Sequence, residues 1–177
     1  MQFIFNHSAA HIRPLLLGIE QHIKKEVTAC TDDIDQLLNR CKFIITELCT
    51  NAIKHSGETK SVLHVYKHNS ELIIKRSDTG KPFSAIFNNN RISFPLTTTM
   101  NMLTLMEDDI NRLAMQPLDN YSAMFYTEQK ESSEDFTGQK INEHFGLIII
   151  CLSASRFVYT YNPDDGSNTY TVSIRLT

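Results

Sequence analysis

The apolar residues Ile34, Leu37, Leu38, Cys41, Ile44, Ile45, Leu48 and Ala52 recur at steps of three and four, the spacing that gathers side chains on one face of a helix. Such a face has to be buried. The pattern stops at Ser56-Gly57. Glu47, Asn51 and His55 follow one another at four-residue intervals, so they form one row along the helix surface. At about 100° per residue that row lies beside Ile44 and Leu48 rather than opposite them. A carboxylate, an amide and an imidazole are therefore expected where core meets surface, on a border that can form the wall of a cleft.

A chain of 177 residues fits one domain with a sizeable core. Hydrophobic residues make up 41% and charged residues 21%, an ordinary globular composition. The formal charge of -3 supplies no basic field for nucleic acid. The apolar run over residues 147–152 is far short of the roughly 20 residues that span a bilayer. The start, Met1-Gln2-Phe3-Ile4-Phe5, lacks the basic and long apolar parts of a signal peptide. The expectation is a cytoplasmic protein with no nucleic-acid or membrane partner. Cys30, Cys41, Cys49 and Cys151 contain no Cys-x-x-Cys pair, which suggests neither zinc nor disulfides.

In chain order, Phe3-Ile4-Phe5 reads as a short strand, and the sequence leaves open an edge of the chain's own sheet or pairing with a second copy in a homodimer. Ser8 is a candidate N-cap for a helix carrying Ile12, Leu15, Leu16, Ile19, Ile23 and Val27, with Pro14 tolerable only near its beginning. Thr31-Asp32-Asp33 supplies an acidic cap for the second helix. Residues 61–68 and 71–77 form β-rich runs around Asn69-Ser70, a hairpin pattern. It delivers Asp78-Thr79-Gly80-Lys81-Pro82-Phe83, whose glycine permits a tight turn and close approach of a flat ligand. Residues 84–143 are too long for an ordinary loop. A helix is expected there from Met102, Leu103, Met106, Ile110 and Leu113, and extended chain over residues 121–126. The segment reads as an elaborated lid, or as an accessory helical insertion. Residues 147–152 fit a buried strand or a helix. Asn162-Pro163-Asp164-Asp165-Gly166 marks a turn between two closing strands.

The run Glu47-Leu48-Cys49-Thr50-Asn51-Ala52-Ile53-Lys54-His55 resembles the N-box of the GHKL ATPases, which include histidine-kinase ATP-binding domains, anti-sigma-factor serine kinases, gyrase-type topoisomerases and heat-shock chaperones. Asp78-Thr79-Gly80-Lys81-Pro82-Phe83 resembles their first glycine box in the form found in the serine kinases. The resemblance covers residues 12–83 and 146–176. It implies an α+β, two-layer sandwich of the Bergerat type over residues 1–177, with a mixed, mostly antiparallel sheet, helices on one face and a lid at 84–143. It also makes residues 147–152 a helix.

By the same resemblance, ATP and Mg²⁺ bind between sheet, second helix and lid. Asn51 supplies an oxygen to Mg²⁺, Asp78 accepts from the adenine amine, Gly80 permits close approach, and Thr169 assists adenine recognition through water. Glu47, one turn before Asn51, is placed to deprotonate or orient a hydroxyl. Lys54 is in reach of a phosphate, and His55 shapes the pocket. The family's Gly-x-Gly-x-Gly phosphate pattern is reduced here to Gly146 alone, in Asn142-Glu143-His144-Phe145-Gly146. The implied function is an anti-sigma-factor-type protein serine kinase with a sigma factor or antagonist protein as partner. The alternatives are a non-catalytic regulatory module of the same fold, favoured by the reduced glycine box, and the ATP-binding part of a histidine-kinase phosphorelay.

Overall fold

The computed structural model describes residues 1–27, 31, 33–87, 90–97, 102–107, 110–130 and 145–176. Most of the polar stretch 128–139 and all of Asn142-Glu143-His144 lie outside the described residues, as does Cys30. The chain runs β1 (Gln2–Asn6), α1 (Ala9–Val27), α2 (Ile34–Asn51), a π-helical turn (Ala52–Ser56), β2 (Lys60–His68) and β3 (Glu71–Asp78). It continues as β4 (Ser84–Phe87), β5 (Asn90–Ser93), β6 (Leu103–Glu107), β7 (Asn111–Pro117) and β8 (Ser122–Gln129), then α3 (Phe145–Ser153), β9 (Arg156–Asn162) and β10 (Ser167–Arg175).

Eight strands form one sheet in the order β1-β2-β3-β10-β9-β8-β7-β6, while β4 and β5 pair separately. Every strand pairing among the described residues is antiparallel, so the expected mixed sheet is an antiparallel one. The α+β class holds. β1 pairs with β2 at one end of the order, which makes it an edge of the chain's own sheet. The β2–β3 hairpin turns at Asn69 with φ +53° and the β9–β10 turn carries Gly166 at φ +69°, left-handed conformations that asparagine and glycine tolerate.

Alternation along the strands puts one apolar row toward the helices. Phe5, Leu63, Val65, Leu72, Ile74, Val172, Ile174, Phe157, Tyr159, Phe125, Leu113 and Met115 share one core with the buried faces of α1, α2 and α3. α2 packs between α1 and α3. Its expected face is the buried one, with Leu37, Cys41, Ile44, Ile45 and Leu48 inside, and Asp33 caps it by accepting from the Gln36 N–H at 2.9 Å. Burial pushes the Cys41, Cys49 and Cys151 thiols up to about 12, the first two inside the core and Cys151 partly buried against it, which leaves them as thiols rather than reactive thiolates. Residues 147–152 are helical, within α3.

The segment read as a lid departs from expectation. Leu103, Met106 and Leu113 are not on a helix: they lie on β6 and β7, which with β8 extend the main sheet. An irregularity between Thr104 and Met106 shifts the register, so Leu103 and Met106 both face the core opposite Met115 and Leu113. A bulge adds one residue to a period of two. The resulting spacing of three imitates a helix. The extended reading of 121–126 agrees with β8.

Ile44 is 0% and its neighbour Phe43 56% exposed, which fixes the orientation of α2. Ile44→Ala is expected to cost about 2–5 kcal/mol by leaving a cavity, and Phe43→Ala no more than about 0.5 kcal/mol. Urea unfolding of the two variants checks this; equal losses would mean that α2 presents another face.

Candidate functional site

The C-terminal end of β3 and the N-terminal end of β10 are paired, Asp78 opposite Asn168. The last turn of α2 comes down on this junction. Between them lies a cavity of about 550 Å³. Asn51, Lys54, His55 and Ser56 line it from α2 and its π turn, Arg76 and Asp78 from β3, and Tyr170 from β10. The segment 81–86 and Arg91 of the β4–β5 hairpin cover it, with Leu105 of β6 and Leu147 of α3 closing the sides.

The π turn ends at Gly57 with φ +76°, and single π turns inside helices frequently mark functional sites. Just before it, Arg76 reaches up from β3 and donates from Nη1 to the Leu48 carbonyl at 2.7 Å, which also accepts from the Ala52 N–H. The turn leaves Lys54 and His55 exposed at the cavity and Ser56 buried. The Ser56 carbonyl accepts from the Lys81 N–H at 2.8 Å, tying the Asp78 loop to the end of α2.

Of the residues anticipated from sequence, Asn51, Lys54, His55 and Asp78 are brought together on the cavity wall. Glu47 is one turn back from Asn51 and lies against α3: a Cβ on Gly146 would overlap the Glu47 carboxylate and stand 3.7 Å from Asn51 Oδ1. Glu47, Asn51 and Gly146 are therefore neighbours, with Glu47 outside the cavity lining. At Gly80 a Cβ would collide with the backbone of Ser56, so this glycine permits the close approach of α2's end.

Thr169 is not at the cavity. Its hydroxyl meets the Ser77 hydroxyl at 3.1 Å on the opposite face of the sheet, because successive strand residues point to opposite sides. Asn168, one position earlier, occupies the inward place. It donates from Nδ2 to Asp78 Oδ1 at 3.2 Å and to the Gly80 carbonyl at 2.8 Å. Its own Oδ1 accepts from the Tyr159 hydroxyl at 2.6 Å, which in turn accepts from the Phe83 N–H at 3.0 Å. Burial raises the Tyr159 phenol well above its usual range, so it remains a donor.

Asp78 is more constrained than an open acceptor. Its Oδ2 accepts from Arg76 Nη2 at 2.6 Å and its Oδ1 from the Gly80 N–H at 3.0 Å. The guanidinium lies 4.4 Å over the Tyr170 ring. Burial pushes the Tyr170 phenol up to about 12, against the lowering pull of Arg76. Arg76 Nε finds no hydrogen-bond partner among the described residues. With Arg76 neutralised by Asp78, the described lining keeps Lys54, Lys81 and Arg91 and no second carboxylate. The site favours an anion beside an apolar wall of Phe83, Ala85, Ile86, Leu105 and Leu147. Arg76, Tyr159, Asn168, Tyr170 and Arg91 were not anticipated from sequence. Only Asn168 had a signal, its place beside the threonine chosen instead.

Tyr159→Phe would leave the Phe83 N–H and Asn168 Oδ1 unsatisfied in a buried network, at about 1–3 kcal/mol for each group. A lowered urea midpoint with unchanged slope is expected, and an unchanged midpoint would remove Tyr159 from the support of the site. Gly80→Ala is expected to destabilise by about 1–3 kcal/mol through backbone displacement, read in the same way. No family model and no curated protein matches this chain, so the meaning of the cavity rests on the groups that line it.

Proposed function

We propose that the cavity binds ATP with Mg²⁺ in a Bergerat-type fold, and that the chain is an anti-sigma-factor-type kinase acting on a serine of a regulatory partner in the cytoplasm. The observation that carries this reading is the convergence of Asn51, Lys54 and His55 with Asp78 and Lys81 around one space. Two runs of sequence some 25 residues apart thereby contribute to the same wall. A volume of about 550 Å³ falls within the range of cavities that hold small ligands. The cations Lys54, Lys81 and Arg91 suit phosphate oxygens, and the apolar wall suits a base.

The donor set fits the metal. No group of three His, Cys, Asp or Glu that could hold a metal ion occurs among the described residues, but Mg²⁺ needs only one or two protein oxygens when phosphates and water complete its shell. Asn51 Oδ1 would be that oxygen, and the ion, when bound, would offset the charge of the phosphates. In the transfer itself the serine oxygen attacks the terminal phosphorus, the bond to the bridging oxygen breaks and ADP leaves. Glu47 takes the hydroxyl proton. Lys54 and Lys81 hold the phosphates as point charges.

A second reading, nucleotide binding without transfer, is favoured by one observation: the Glu47 carboxylate lies against the backbone of α3's first turn at Gly146. The two readings part in one pair of variants. Asn51→Ala is expected to abolish the Mg²⁺-dependent share of the rise in Tm given by ATP, a mass-action effect of a ligand that binds the folded state. Glu47→Gln is expected to retain ATP affinity within a few-fold while transfer of labelled phosphate to a partner serine falls by roughly 10²-fold. Binding without label transfer in the wild type would select the second reading, label on histidine a phosphorelay, and no heat with ATP in calorimetry would sink all three.

A further inference from the structure

Asp78 is the single carboxylate among the described lining residues of the cavity. A carboxylate offers about four acceptor positions, and three are used, by Arg76 Nη2, the Gly80 N–H and Asn168 Nδ2. The Asp78 and Arg76 side chains are only 1% and 4% exposed. While this pair is closed, Oδ1 already takes two donors and Oδ2 the guanidinium, so a base amine arriving from the cavity competes with Arg76 for Oδ2. What the wall offers in its place is a guanidinium, which has donors and no acceptor. The exocyclic amine of an aminopurine is itself a donor and gains nothing there, whereas the O6 and N7 of guanine are acceptors.

Resting on the nucleotide reading above, we propose that Arg76 is the specificity-determining residue of the cavity: by holding Asp78 it withdraws the acceptor that would select adenine, and the site takes adenine and guanine nucleotides alike. A pocket discriminates strongly only where one of its buried polar groups would be left unpaired by the wrong ligand. Here Arg76 already pairs that group. Removing Arg76 leaves Asp78 positioned by Gly80 and Asn168 and frees Oδ2 to accept from an adenine amine.

The test is calorimetric titration of the full chain with ATP and with GTP, each with Mg²⁺. For the wild type, dissociation constants within about threefold of each other are expected. Arg76→Met should shift the ratio to about tenfold or more in favour of ATP, the scale of one hydrogen bond to a charged group. Asp78→Asn added to Arg76→Met should return the ratio toward one. A role of Arg76 in stability alone would weaken both nucleotides equally and leave the ratio unmoved. A tenfold ATP preference in the wild type, or an unchanged ratio in Arg76→Met, overturns the proposal while the nucleotide site stands. Binding of neither nucleotide overturns the site as well. If Arg76→Met does not fold, the wild-type ratio and the milder Arg76→Gln, with the same expected direction, decide.

Discussion

A guanidinium buried beneath the last turn of α2 sets terms that the neighbouring structure has to meet. Taking a charge out of water costs several kcal/mol unless it is paired and hydrogen-bonded. Arg76 is held from three directions, by the Asp78 carboxylate on its own strand, the Leu48 carbonyl above and the Tyr170 ring on β10, with Nε alone left without a partner among the described residues. Each of these contacts fixes a different element. Together they hold α2, β3 and β10 in one arrangement, and the cavity is the space left beside them.

That arrangement depends on a pairing remote in sequence. β3 and β10 are adjacent in the sheet although the chain makes six further strands and a helix between them. Sequence-adjacent strands pair as β2–β3, β6–β7, β7–β8 and β9–β10, while β1–β2 and β8–β9 pair across helices; in the eight-stranded sheet the β3–β10 ladder joins β1–β3 to β6–β10. The polar cluster of Asp78, Asn168 and Tyr159 sits at one end of that seam, with both Asp78 and Asn168 also bonded to Gly80. Hydrogen bonds that cross the seam fix the register of β3 against β10, and with it which residues face inward.

The sequence was legible where periodicity and punctuation agreed. The face of α2, its acidic cap, its stop at Gly57 and the two hairpin turns follow from spacing and turn chemistry alone. Residues 102–113 were misread because the bulge in β6 lends a strand the three-residue step of a helix. Thr169 is what the resemblance implies, and a motif match carries no strand parity; a single residue changes the face of the sheet. Arg76 was invisible for a related reason. In Ile74-Lys75-Arg76-Ser77 two cations stand together, and only the pairing of Arg76 with Leu63 on β2 and Tyr170 on β10 shows that one of them points into the core.

The two glycines of the site also differ in what they require. At Gly80 the obstacle to a side chain is the backbone of Ser56, which cannot yield without moving α2's end. At Gly146 the obstacle is the far end of the Glu47 side chain, which can rotate away. The first glycine is thus a condition of the fold, and the second is a condition of where Glu47 rests. A helix N-terminus attracts negative charge, and in α3 the group lying against that first turn is a carboxylate of the protein itself. Under the nucleotide reading proposed above, phosphates brought near the start of α3 would meet Glu47 there, and a role for Glu47 as base would require its carboxylate to turn away from Gly146.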